Sequence, residues 1–161
     1  MRAQAKRRET PKSYHKLVEL QTSERRRFID LTEQVLDSVR KSAVDRGQVN
    51  VQSLHTTAAI VINENEPLLL LDLEDALERW APRGRHYRHD DFEIRTAHVQ
   101  PGEPANGHSH TRALLLRTSE TMNVVDGKLV LGRWQRIFLV ELDGARVRTV
   151  SIGVTGLGEG S

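Results

Sequence analysis

Two Asp-Gly dipeptides constrain what this chain can fold into more than any other feature. Asp126-Gly127 separates the runs 121–125 and 128–131, and Asp143-Gly144 separates 134–143 from 146–155, with β-branched residues throughout the flanks. Asp-Gly accepts the positive φ angles of a tight primed turn, so each dipeptide predicts a hairpin. The C-terminal half therefore reads as an antiparallel meander.

The first half has a different texture. Residues 13–22 alternate loosely between apolar and polar, as a strand with one covered face does. Phe28, Leu31, Val35, Leu36 and Val39 recur at helical spacing, with Asp30 or Thr32 as the cap and Gly47 beyond the end. The β-branched runs 49–54 and 57–62 read as strands. Pro67 opens a second helix through Trp80, since Leu70, Leu73, Leu77 and Trp80 share one side and Pro82 and Gly84 stop it. Residues 111–116 form a short helix or strand. Between these, 83–107 shows no clean period, and loops of that length in compact domains carry function or are disordered.

With 161 residues there is enough chain for one core and too little for two. The expectation is an α+β single domain over 12–161, a large antiparallel sheet or sandwich with two to three helices, behind a flexible basic arm at 1–11. Arg2, Lys6, Arg7, Arg8 and Lys12 hold much of the basic excess, and the formal charge is only +2. No nucleic-acid partner is expected from so balanced a body. The apolar run 68–71 is far too short to span a membrane, and the basic start lacks an apolar stretch after it, which points to a cytoplasmic protein. There is no cysteine. Disulfides, thiolate metal sites and a Cys nucleophile are excluded, and polar chemistry falls to histidines and carboxylates.

Five polar clusters can carry it. His55-Thr56-Thr57 stands between two apolar strands, where a histidine is either a satisfied structural residue or a functional one on a sheet rim. Asn63-Glu64-Asn65-Glu66 precedes Pro67 and supplies either helix caps or a general base. Tyr87-Arg88-His89-Asp90-Asp91 and Asn106-Gly107-His108-Ser109-His110 lie in or beside the irregular stretch. On a strand His108 and His110 point the same way; on a helix they diverge by about 200°. Such a pair with a distant third histidine makes an open site of the zinc type. Gly132-Arg133-Trp134-Gln135 offers an aromatic ring and an amide to a flat ligand, or simply a core Trp.

In their order the clusters resemble the YjbQ-like family, linked to secondary thiamine-phosphate synthase activity. The resemblance runs over 13–156 and rests on His55-Thr56-Thr57-Ala58-Ala59, Asn63-Glu64, Tyr87 to Asp91, Asn106 to His110, Asp126-Gly127-Lys128-Leu129, Leu131 to Gln135 and Glu141-Leu142-Asp143-Gly144. Arg117 stands where such proteins often have Gly, Asn123 where Pro is frequent, and Ala145 where Pro is common. The resemblance implies a compact α+β homotrimer with pockets near subunit boundaries. It further implies a divalent metal, zinc first, on His55, His108 and His110, with His89 as the alternative ligand.

The implied reaction joins a pyrimidine methyl pyrophosphate to a thiazole phosphate with loss of pyrophosphate. Its phosphorylated small-molecule substrate would be held by Arg88, Arg112 and Arg133, with Asn63, Asn106, Trp134 and Gln135 completing the binding set and Glu64 and His89 moving protons. Two other readings use the same residues. One is a metal-dependent hydrolase with Glu64 as the base; the other is a non-catalytic metal or small-ligand binding protein with a closed four-ligand shell.

Overall fold

The computed structural model describes residues 9–23 and 27–160. The elements run β1 (Glu9–Gln21), β2 (Phe28–Asp30), α1 (Thr32–Ser42), β3 (Arg46–Ser53), β4 (Ala58–Glu64), α2 (Pro67–Trp80), α3 (Gly107–Leu116), β5 (Ser119–Val125), β6 (Lys128–Leu129), β7 (Gln135–Glu141) and β8 (Val147–Glu159). A single 3-10 turn, Arg88–Asp90, breaks the long connection between α2 and α3. Five strands form an antiparallel sheet in the order β1-β8-β3-β5-β6, and β2-β7-β4 form a second.

The burial pattern explains why there are two sheets. β7 is buried at every residue from Ile137 to Glu141, so it is covered on both faces. Ile137 and Leu139 join Ile60, Val49, Val51, Ile152, Val154, Leu31 and the α1 residues Val35 and Val39 in the main core. Phe138 and Val140 face the other way and pack with Ala59, Phe28, Leu77 of α2 and Ala113 of α3. The small sheet is thus a middle layer between the large sheet with α1 and the pair α2 and α3.

Asp126 and Gly127 take the expected positive φ angles, 52° and 68°, and Val124↔Leu129 and Val125↔Lys128 pair around them. The second predicted hairpin is not formed. Both edges of β8 are occupied, by β1 and β3, while β7 pairs with β2 and β4. The chain crosses from the middle layer to the large sheet at Asp143-Gly144. The predicted first helix also starts later, because residues 28–30 are a strand, and it ends at Ala43 with φ 53°. Gly47 lies within β3, where a Cβ would fall 2.1 Å from the Thr155 carbonyl oxygen, so it serves a close approach to the paired strand β8 rather than a helix end. Residues 9–11 of the predicted arm belong to β1, and residues 1–8 lie outside the described part of the chain. No described helix is long and apolar enough to cross a membrane.

Candidate functional site

A cavity of about 690 Å³ opens where the start of β4, the start of β8, α3 and the long connection meet. Its wall includes His55, Thr56, His89, Arg95, His98, Glu103, Asn106, His110, Arg146 and Arg148. The connection 83–106 is thus an ordered wall of the site.

Asp90 builds the joint between wall and helix: its Oδ1 accepts the backbone N–H groups of Asn106 and Gly107, at 3.0 and 2.9 Å, at the N-terminus of α3. Gly107 is required there, since a Cβ would lie 2.4 Å from that of Tyr87. α3 starts at Gly107, so both His108 and His110 are helical and part company as that geometry dictates. His110 faces the cavity, its ring 4.5 Å from that of His89, edge to face. His108 does not line the cavity; it is 3% exposed beside the Tyr87 ring, with Nε2 3.1 Å from Ser109 Oγ. The structure therefore brings His89 to His110 and separates His108 from both.

His55 is fixed by a strand-end hydrogen bond. The Thr149 N–H donates to His55 Nε2 at 2.8 Å. A neutral imidazole has one acceptor nitrogen, so Nε2 is that acceptor and Nδ1 carries the proton. His55 can donate to a ligand through Nδ1 but has no lone pair left for a cation. Burial, then the Arg148 charge, hold its pKa below the ordinary 6.5. Burial and then His89 do the same for His110. Among the described residues no three His, Cys, Asp or Glu side chains converge as a metal-binding set. The ligand set His55, His108 and His110 does not fit one ion in this chain.

The cationic side of the wall was not anticipated. Arg148 is buried against Glu141, and its guanidinium also donates to the Thr57 carbonyl and hydroxyl. Burial opposes the charge on Glu141, but Arg148, the Asp143 N–H and the Thr22 hydroxyl hold its pKa below the usual 4.5. Arg95 folds the loop around itself, donating to the His89, Ala97 and His98 carbonyls and pairing with Glu103 at 2.7 Å. Arg146 NH2 and Asn106 Nδ2 meet on one carboxylate oxygen, Asp143 Oδ2, at 2.7 and 2.9 Å.

One sequence signal did point to Arg148. It shares the inward register of Val150, Ile152 and Val154, and a charge on such a face demands a buried partner. Arg95 carried no comparable signal.

Other candidates lie elsewhere. Arg112 is fully buried, donating to the Ala81 carbonyl and paired with Glu78, so it holds α3 to α2 rather than a phosphate. Arg88 is exposed and does not line the cavity. Asn63 and Glu64 end β4, six residues from Ala58 and so roughly 20 Å along the strand from the histidine end. Glu64 pairs in register with Gln135, which places the 132–135 segment at that far end too. There Arg133 stacks 4.6 Å from the exposed Trp134 ring, and Gln135 Oε1 accepts the Gly132 N–H. Neither Glu64 nor this segment reaches the histidine cavity of its own chain. A smaller polar cavity of about 270 Å³, lined by Arg27, Arg83 and Asp143 among others, adjoins the crossing at Gly144.

Fold and cavity define an α+β domain of two antiparallel sheets with a histidine- and arginine-walled pocket at one end of the inner sheet. The chain belongs to the YjbQ-like UPF0047 family, whose model matches residues 16–157. A UPF0047 protein of Methanothermobacter thermautotrophicus is 40% identical over 89% of this chain and 92% of its own. YugU of Bacillus subtilis is 30% identical over 88% and 98%. The crystal structure of a YbjQ-like protein of unknown function from Sulfolobus solfataricus superposes with TM-score 0.80 at 33% identity, covering 91% of this chain and 99% of that one.

Proposed function

We propose that the cavity binds a phosphorylated small molecule and that His110, with His89 against it, moves a proton on the bound ligand. The observation that carries this reading is the donor-rich wall: the His55 Nδ1–H, the Arg146 guanidinium and a His110 held neutral by burial surround one open cavity. A neutral imidazole accepts a proton and returns it, and a pre-aimed guanidinium neutralises phosphate oxygens. The family resemblance makes the reaction more specific. Pyrophosphate leaves a pyrimidine methyl carbon with the electron pair of the broken C–O bond, and a thiazole nitrogen forms the new C–N bond. In this chain Arg146 takes the place proposed above for Arg88, Arg112 and Arg133.

A divalent cation, zinc first, is implied by the same resemblance; His89 and His110 are the two rings close enough to share one, but a cation there would occupy the lone pair that His110 uses for the proton, so the reading above is made without it. A homotrimer and a cytoplasmic location are proposed on the same ground. The apolar side chains of Leu68, Leu71, Trp80, Leu114 and Leu115 are exposed on α2 and α3, and an apolar surface of that kind supports self-association.

The test is calorimetric titration of pyrophosphate and thiazole phosphate into the parent and into His55→Gln and Arg146→Gln variants, with elemental analysis of each dialysed protein. Binding in the parent that weakens at least tenfold in both variants is expected. No binding in the parent, with or without added zinc, overturns the pocket. Binding without turnover of the paired substrates leaves a ligand-binding protein in place of a synthase.

A further inference from the structure

The cavity of about 270 Å³ beside Gly144 takes no part in the function proposed above, and its charges do not balance. Two acidic residues, Glu141 and Asp143, and two basic ones, Arg27 and Arg83, line it. The acids are already committed. Glu141 pairs with Arg148 and Asp143 with Arg146, and both of those arginines line the histidine cavity instead. Arg27 and Arg83 have no such counterion: among the described residues neither forms an ion pair.

Each of the two arginines is anchored from its backbone. The Glu141 N–H donates to the Arg27 carbonyl at 2.8 Å. Just past α2, the Arg83 N–H donates to Glu78 Oε1 at 2.8 Å. The Arg83 side chain then reaches across to the cavity, where its NH2 donates to the Asp143 carbonyl at 3.3 Å. That acceptor is neutral, so the guanidinium charge stays uncompensated. Burial, followed by the Arg112 and Arg83 charges, pushes Arg27 below the ordinary arginine value of 12.5, with Glu74 and Glu78 opposing. Positive charge is crowded on this side of the cavity.

We propose that this cavity is a second anion site, separate from the histidine cavity, and that Arg27 and Arg83 hold a phosphate group in it. Two unpaired guanidinium groups match the roughly two negative charges of a phosphate monoester or of free phosphate near pH 7. Guanidinium forks suit its oxygens, and the bound anion offsets the repulsion between the arginines. A cavity of this size holds several waters, so a phosphate enters by displacing some and keeping the rest. Glu141 and Asp143 do not repel it, because Arg148 and Arg146 already neutralise them.

The test titrates inorganic phosphate by calorimetry at low ionic strength, on the full-length protein carrying His55→Gln, which weakens the histidine cavity. Adding Arg27→Gln or Arg83→Gln to that protein is expected to weaken binding about tenfold or more, the loss of charge-assisted hydrogen bonds. Arg83 is exposed, so its variant keeps the denaturation midpoint of its parent. Arg27→Lys retains the charge and is expected to retain part of the binding. Glycerol phosphate in the same titrations separates the two sources: an ester head group binds as well as the free ion, or the free ion alone fits. Crystals soaked in selenate are expected to show the anion beside both arginines.

No phosphate binding by the His55→Gln protein overturns the second site. So does binding that neither arginine change weakens. Failure of pyrophosphate to bind the histidine cavity leaves this site standing, so the two readings fall separately.

Discussion

His55, His108 and His110 are all held below the ordinary imidazole pKa of 6.5, in each case by burial first and by neighbouring charge second. The sign of the consequence follows from proton counting. As pH falls below about 6.5 the unfolded chain takes up protons on these rings while the folded chain does not, so stability declines with falling pH and levels off below the folded values. The carboxylates Glu141 and Asp30, themselves held below 4.5 and 3.8, add their own loss only at lower pH. The thermal midpoint should therefore drop between about pH 7 and pH 5.5, ahead of the carboxylate phase, and His108→Gln should flatten part of that slope. A midpoint that stays level over this range would show that the rings titrate as freely as in the unfolded chain. Much of this residue-scale picture was legible: four of the seven histidines lie in or beside two short clusters, and His89 and His110 do come together. His108 turns away from His110 because the pairing of i and i+2 depends on whether the backbone is strand or helix, and α3 begins four residues before the periodic signal does. The hydrogen bonding of His55 is not legible for another reason. The Thr149 N–H that claims its lone pair is 94 residues away, on a strand whose partners only the fold supplies.

The elements carry the clearest lesson about turn chemistry. Both Asp-Gly dipeptides are turn formers, yet only Asp126-Gly127 closes a hairpin, because β7 and β8 already have both edges paired in different sheets. Local propensity chose a turn; which strands it joins was decided by layer packing. A second backbone feature lies at the end of α3, where Arg117 has φ 73° and ψ 162° and its N–H closes the helix on the Ala113 carbonyl. That region of backbone space is essentially glycine's, and a side chain there costs about 1–3 kcal/mol. The sequence held the clue, since Arg117 occupies a position where similar proteins often carry Gly. Arg117→Gly should stabilise the fold, the relief of strain exceeding the added entropy of the unfolded glycine. Chemical denaturation measures it: a midpoint shifted upward with an unchanged slope is expected. A shift downward would mean that the arginine side chain contributes more than its backbone costs.

At the scale of the whole molecule eight of the predicted site residues fall into two groups at opposite ends of the β4–β7 ladder. His55, His89, Asn106 and His110 surround the cavity at one end, while Asn63, Glu64, Trp134 and Gln135 gather at the other, where Glu64 pairs with Gln135. Within one chain the roughly 20 Å of strand between them forbids a shared ligand. In the proposed homotrimer a head-to-tail contact repeated by a threefold axis sets one end of each subunit against the other end of its neighbour. Were those two ends in contact, the exposed Trp134 ring, stacked under Arg133, would close the neighbour's histidine cavity. Variant mixing distinguishes the arrangements. His110→Ala and Trp134→Ala subunits, each purified alone, should bind pyrophosphate weakly, since every site in either trimer lacks one half. Unfolded together in equal amounts and refolded, they should regain about a quarter of the parent's sites, because a site is whole only when one neighbour supplies the histidine end and the other the tryptophan end, each with a chance of one half. Full binding by Trp134→Ala alone would put the site within a single chain. Loss that mixing does not restore would assign Trp134 to assembly and remove it from the ligand.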